Sequence, residues 1–130
     1  MGKASRRKSI RVTGSAIDLQ PSPEKASTRL TQLIAPHVAP GETRDSYAAL
    51  VALGAMAWNL SLFSGKERSV LVSDAVRDAM KVGLPLTVQW LNALIDRKLS
   101  LFPSDTRLIE GFEVVEEKDG RFTVLVTTSA

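Results

Sequence analysis

The chain has 130 residues, 44% of them apolar and 24% charged, with 17 basic side chains, 14 acidic ones and no cysteine. That length and balance fit one globular domain, and the missing cysteine excludes disulfides, thiol nucleophiles and thiolate metal sites together. The formal charge of +3 is unevenly placed, because residues 1–25 hold six basic residues against two acids and the remainder holds eleven against twelve; the body of the chain gives no reason to expect a broad cationic face.

Residues 1–21 read as a disordered basic tail, rich in Ser and poor in large apolar residues, so they cannot offset the entropy of ordering. Lys3, Arg6, Arg7, Lys8 and Arg11 are the candidate phosphate or nucleic-acid contacts. Five such contacts would give salt-dependent binding, although no aromatic side chain lies among them to stack on bases. The stretch also has the Arg- and Ser-rich look of an organelle presequence, and Arg6-Arg7-Lys8-Ser9 that of a basophilic kinase site. No apolar run follows the opening charges, as a secretory leader would need. Ile10, Val12, Ile17 and Leu19 could add a short strand to an available edge.

Residues 22–130 read as one small α+β domain. Ser22-Pro23-Glu24 has the form of a helix start, with a capping hydroxyl, proline at the first helical position and an acid in the first turn. Ala26, Leu30, Leu33 and Ile34 then make one apolar stripe, which Pro36 ends at about Ala35. A second helix is expected over about 42–63. Tyr47, Leu50, Val51, Gly54 and Trp58 lie along one side of it and Leu53, Met56, Leu60 and Phe63 along another, so it is taken as the central apolar helix around which the others pack. Gly54 would cost about 1 kcal/mol relative to Ala in an open helix, which points to close approach of a neighbour. Ser46 to Gly65 carries no charge and is long enough to span a bilayer, but its Ala, Gly, Ser and Asn content favours a buried helix, and no membrane span is expected.

A third helix is expected over about 66–82, with Val72, Val76, Ala79 and Met80 as its stripe and Gly83 as a positive-φ stop. Pro85 reads as the first residue of a fourth, in which Val88, Leu91, Ile95, Leu99 and Phe102 keep helical spacing and Asp96, Arg97 and Lys98 lie mostly outside. After Pro103-Ser104-Asp105 the period changes to two. Phe112 and Val114 alternate with polar residues, as do Phe122, Val124 and Val126, around the turn Glu117-Lys118-Asp119-Gly120. This is an antiparallel β-hairpin with one apolar face.

Residues able to carry chemistry are few. His37 is the single histidine and sits between two prolines, so no metal set or Ser-His-Asp arrangement can be assembled around it. Asp74 and Asp78 share a helix face with Arg77 and Lys81 and read as surface ion pairs. Asn59-Leu60-Ser61 matches the glycosylation triplet by chance within a helix. Asp96, Arg97, Asp105 and Arg107 flank the end of the fourth helix as a candidate polar cluster, and any pocket is expected there and near Trp90. No cofactor is implied.

A two-stranded hairpin is marginal alone, and its edges invite another strand. The leading expectation is therefore a cytoplasmic, non-enzymatic interaction module (an adaptor, accessory subunit or antitoxin-like partner protein). It would bind a protein partner or form a homodimer through the hairpin at 107–128. A nucleic-acid-associated protein using the tail is the alternative. An enzyme with a polar pocket near Trp90, Asp96 and Arg107 is the least favoured.

Overall fold

The computed structural model describes residues 24–129. The tail with Lys3, Arg6, Arg7, Lys8 and Arg11, and the Ser22-Pro23 helix start, lie outside the described residues. Four helices, α1 (Ala26–Ile34), α2 (Arg44–Leu60), α3 (Gly65–Lys81) and α4 (Val88–Leu101), precede two strands, β1 (Leu108–Glu116) and β2 (Phe122–Ser129). The fold is α+β.

Local chemistry sets most helix ends. At α2, Thr43 Oγ1 accepts from the Ser46 amide at 3.1 Å while Ser46 Oγ accepts from the Thr43 amide at 3.0 Å, a reciprocal capping box. Ser64 caps α3 through the Glu67 amide. At its other end Gly83 adopts φ +78°. The Leu84 amide donates to the Ala79 carbonyl and the Gly83 amide to the Met80 carbonyl, at 2.9 and 3.1 Å, which is a Schellman stop. Pro85 does not begin α4. Thr87 accepts from the Trp90 amide at 3.1 Å and takes the cap, so the helix starts at Val88; a capping hydroxyl satisfies an orphan amide, which proline at the first position does not. Arginines close two helix C-termini from outside. Arg68 donates to the carbonyls of Leu60, Ser61 and Phe63 at and just beyond the end of α2, and Arg97 to those of Gln32 and Leu33 in the last turn of α1, where a helix leaves carbonyls short of partners.

The core joins Leu30, Leu33 and Ile34 of α1 to Val51 and Trp58 of α2, Val72 of α3, and Leu91, Leu94 and Ile95 of α4, with Ile109, Val114 and Val124 from the hairpin. α2 packs against α1, α3, α4 and β1. Of its expected second apolar side Leu60 is buried and Met56 exposed; Phe63, also exposed, lies beyond the helix, which ends at Leu60 where the chain turns. A Cβ added at Gly54 would fall 2.5 Å from Ile34 Cγ2 and 3.2 Å from Leu30 Cδ1; the glycine is what lets α1 approach. Met80, expected in the α3 stripe, is 69% exposed. Val72 and Ala79 of that stripe are buried, and α3 packs chiefly on α4 and less on α2.

β1 and β2 pair antiparallel from Leu108↔Ser129 to Glu116↔Phe122, with an irregularity between Ile109 and Gly111. Gly120, at φ +86°, closes the turn, and its amide donates to the Glu117 carbonyl at 2.9 Å. The inner face lies on α1 and α2, and Phe122 stacks on Tyr47 with ring centroids 4.8 Å apart. No helix among the described residues is long and apolar enough to cross a membrane.

Candidate functional site

The polar residues around the α4–β1 connection converge on Asp105, which is buried. Its Oδ1 accepts from the Arg107 amide at 3.2 Å and from Arg107 Nε at 2.9 Å. Its Oδ2 accepts from Arg29 Nη1 at 3.0 Å and from Arg107 Nη2 at 2.6 Å. Its backbone carbonyl accepts from Lys98 Nζ at 2.5 Å. One short connection thus ties α1, α4 and the start of β1 together. Burial alone would raise the Asp105 pKa; the hydrogen bonds and charge of Arg107, with the bond from Arg29, outweigh that and bring it down to about 2.

Lys98 is 1% exposed. Burial pushes its pKa down and the Asp105 charge opposes that shift. Its ammonium also lies 4.8 Å from the Trp58 ring centroid, and the Arg29 guanidinium lies 4.9 Å from that of Phe102, so each cation has an aromatic face in place of water. The expectation that Lys98 lies outside is corrected here. It stands seven residues after Leu91 and four after Leu94, at the centre of the buried face of α4. That spacing was available in the sequence. Arg29 likewise stands three residues after Ala26 and four before Leu33, at the edge of the α1 stripe.

Of the predicted cluster, Asp105 and Arg107 come together. Arg97 turns away to the end of α1, and Asp96 is exposed. Trp90 is half-buried and packs on His37 with centroids 5.0 Å apart. Two shallow grooves on the described surface lie at the hairpin turn, beside Glu117 and Arg121, and between Lys25–Ser27 and β2; Arg107 lines the second, and neither includes Trp90 or Asp96. Asp74 and Arg77, and Asp78 and Lys81, form ion pairs at the surface of α3. Among the described residues no three His, Asp or Glu side chains group as metal ligands.

The cluster holds structure in place. Both Asp105 carboxylate oxygens and the Lys98 ammonium have partners within the chain, while Arg29 Nε is buried without a hydrogen-bond partner. Its neighbours extend the same joint into the hairpin. Trp58 Nε1 donates to the Arg107 carbonyl at 2.7 Å, and the Asn59 side chain bonds both the amide and the carbonyl of Ile109. What the joint presents outward is the hairpin: two strands, with no third paired to them among the described residues.

Comparison with family models, curated proteins and solved structures finds no match to this chain.

Proposed function

We propose that this protein is a non-enzymatic interaction module that self-associates through its C-terminal hairpin. The observation that carries the reading is the two-stranded sheet itself, anchored on one face to α1 and α2 and without a third strand among the described residues. Two strands are the fewest a sheet can have, and an unpaired edge is a template for another chain. The polar groups around Asp105 support the same reading, because the carboxylate and the Lys98 ammonium bond within the chain and tie the helices to the start of the hairpin.

The test is the mass of the full chain by light scattering, across concentration and at low and high salt. The expected result is a mass twice the 14.1 kDa of one chain, insensitive to salt because backbone pairing and apolar contact dominate. A 14.1 kDa particle at every concentration would overturn the self-association.

A further inference from the structure

The two hairpin edges are not equivalent. β1 carries Glu110, Glu113 and Glu116, an irregular register between Ile109 and Gly111, and in Ile109 a residue whose amide and carbonyl are both taken by Asn59. Charges, bulges and covered backbone are the devices that keep an edge from pairing. A second β1 laid beside the first would also bring carboxylates of one sign together. β2 reads Phe-Thr-Val-Leu-Val-Thr-Thr-Ser. It has no charge, no proline and no glycine, and among the described residues no element except β1 bonds to its backbone. Val124 is buried and Val126 half-buried, so Leu125 between them points away from the helices, 52% exposed. A shallow groove lies along this edge, between Lys25–Ser27 and Arg107 on one side and Leu125, Val126 and Thr128 on the other.

We propose that β2 is the edge through which the protein meets a second copy of itself, β2 pairing antiparallel with β2 about a two-fold axis to give one sheet in the order β1-β2-β2-β1. The inference rests on the reading that the hairpin self-associates, and adds which strand does so and in what register. Residues opposite one another in an antiparallel pair share a face, and a two-fold interface is self-complementary. A register centred on Leu125 sets Leu125 against its own copy and Thr123 against Thr127. That gives an apolar pair flanked by two threonine pairs, with no unlike or repelling charge across the junction. The guarded β1 edges then become the outer edges of a four-stranded sheet.

The full chain is compared with Leu125→Lys, Leu125→Glu and an equimolar mixture of the two, by light scattering at matched concentration, with far-UV circular dichroism as the check on folding. Leu125 lies outside the core, so both variants retain the native spectrum. The native chain is expected at twice its monomer mass. Each single variant falls to the monomer, its association at least tenfold weaker, because like charges face each other across the two-fold. The mixture recovers the dimer, because lysine then faces glutamate. Thr127→Lys, on the same exposed face, gives an independent reading in which dimerisation is again weakened. A native dimer unaffected by any of these substitutions overturns the β2 assignment and leaves self-association standing. A native monomer, its β2 edge filled from within the chain or left unused, overturns both.

Discussion

Asn59 on α2 bonds Ile109 on β1 twice: its Nδ2 donates to the Ile109 carbonyl at 2.9 Å and its Oδ1 accepts from the Ile109 amide at 2.9 Å. A side-chain amide thereby does what a neighbouring strand would do, at the irregular point of the β1 register. Asn59→Ala is expected to destabilise by about 1–3 kcal/mol, since two partly buried backbone groups lose their partner. Asn59→Asp is expected to cost at least as much, because it removes the donor and sets a carboxylate against a carbonyl. Urea unfolding midpoints measure both effects, and amide exchange at Ile109 should quicken in each variant. Unchanged midpoints would show that water replaces the amide at no cost.

Asp105 is the point at which three elements meet, and removing its charge strands its cations. Asp105→Ala leaves Arg29 and Arg107 without their carboxylate; breaking a buried pair from one side costs about 3–5 kcal/mol. Arg107→Met should cost less, since Arg29 still pairs with the carboxylate. Chemical denaturation of the two variants orders these effects. A milder loss for Asp105→Ala than for Arg107→Met would contradict the central place of the carboxylate.

The same carboxyl predicts an acid limb. Its pKa is about 2 in the folded chain against an ordinary 3.8. The folded pKa is the lower one, so the unfolded chain binds the proton first on acidification. The stabilisation is present above pH 4 and is lost as pH falls toward 2. A pKa difference of this size corresponds to about 2 kcal/mol. Asp105→Asn should be less stable than the native chain at pH 7, with the gap narrowing by that amount between pH 4 and pH 2. Parallel stability curves for the two proteins across that interval would refute the assignment.

Gly54→Ala sets helix propensity against packing. Alanine gains about 1 kcal/mol in a helix interior, but its Cβ would lie 2.5 Å from Ile34 Cγ2, and overpacking of a core typically costs about 1–3 kcal/mol. The methyl it meets belongs to a β-branched residue that is itself fully buried, so it cannot swing aside, and the clash prevails. A net loss of about 1–2 kcal/mol follows. Pairing Gly54→Ala with Ile34→Leu, which carries no second methyl branch on its Cβ, should restore part of it. A rise in Tm for Gly54→Ala alone would mean that α1 gives way freely.

Short-range patterns in the chain set the elements and their order. The spacing of Ala26, Leu30, Leu33 and Ile34 marks the buried face of α1, Gly83 and Gly120 mark a helix stop and a hairpin turn, and Phe122, Val124 and Val126 mark one strand face. All of these are legible because helix and strand periods, caps and turns depend on residues a few positions apart. At the start of α4 the hydroxyl cap of Thr87, not the proline at 85, sets the first turn. Only the tertiary structure decided the roles of the polar residues. Arg29 meets Asp105 across 76 positions, Asn59 meets Ile109 across 50 and Arg97 reaches Leu33 across 64, and no period or motif in one segment specifies a partner that far away. Lys98 lies between these cases. Its spacing from Leu91 and Leu94 placed it on the buried face of α4, but only the Asp105 carbonyl and the Trp58 ring beneath it, brought there by the packing of α2 and α4, make a buried ammonium tolerable.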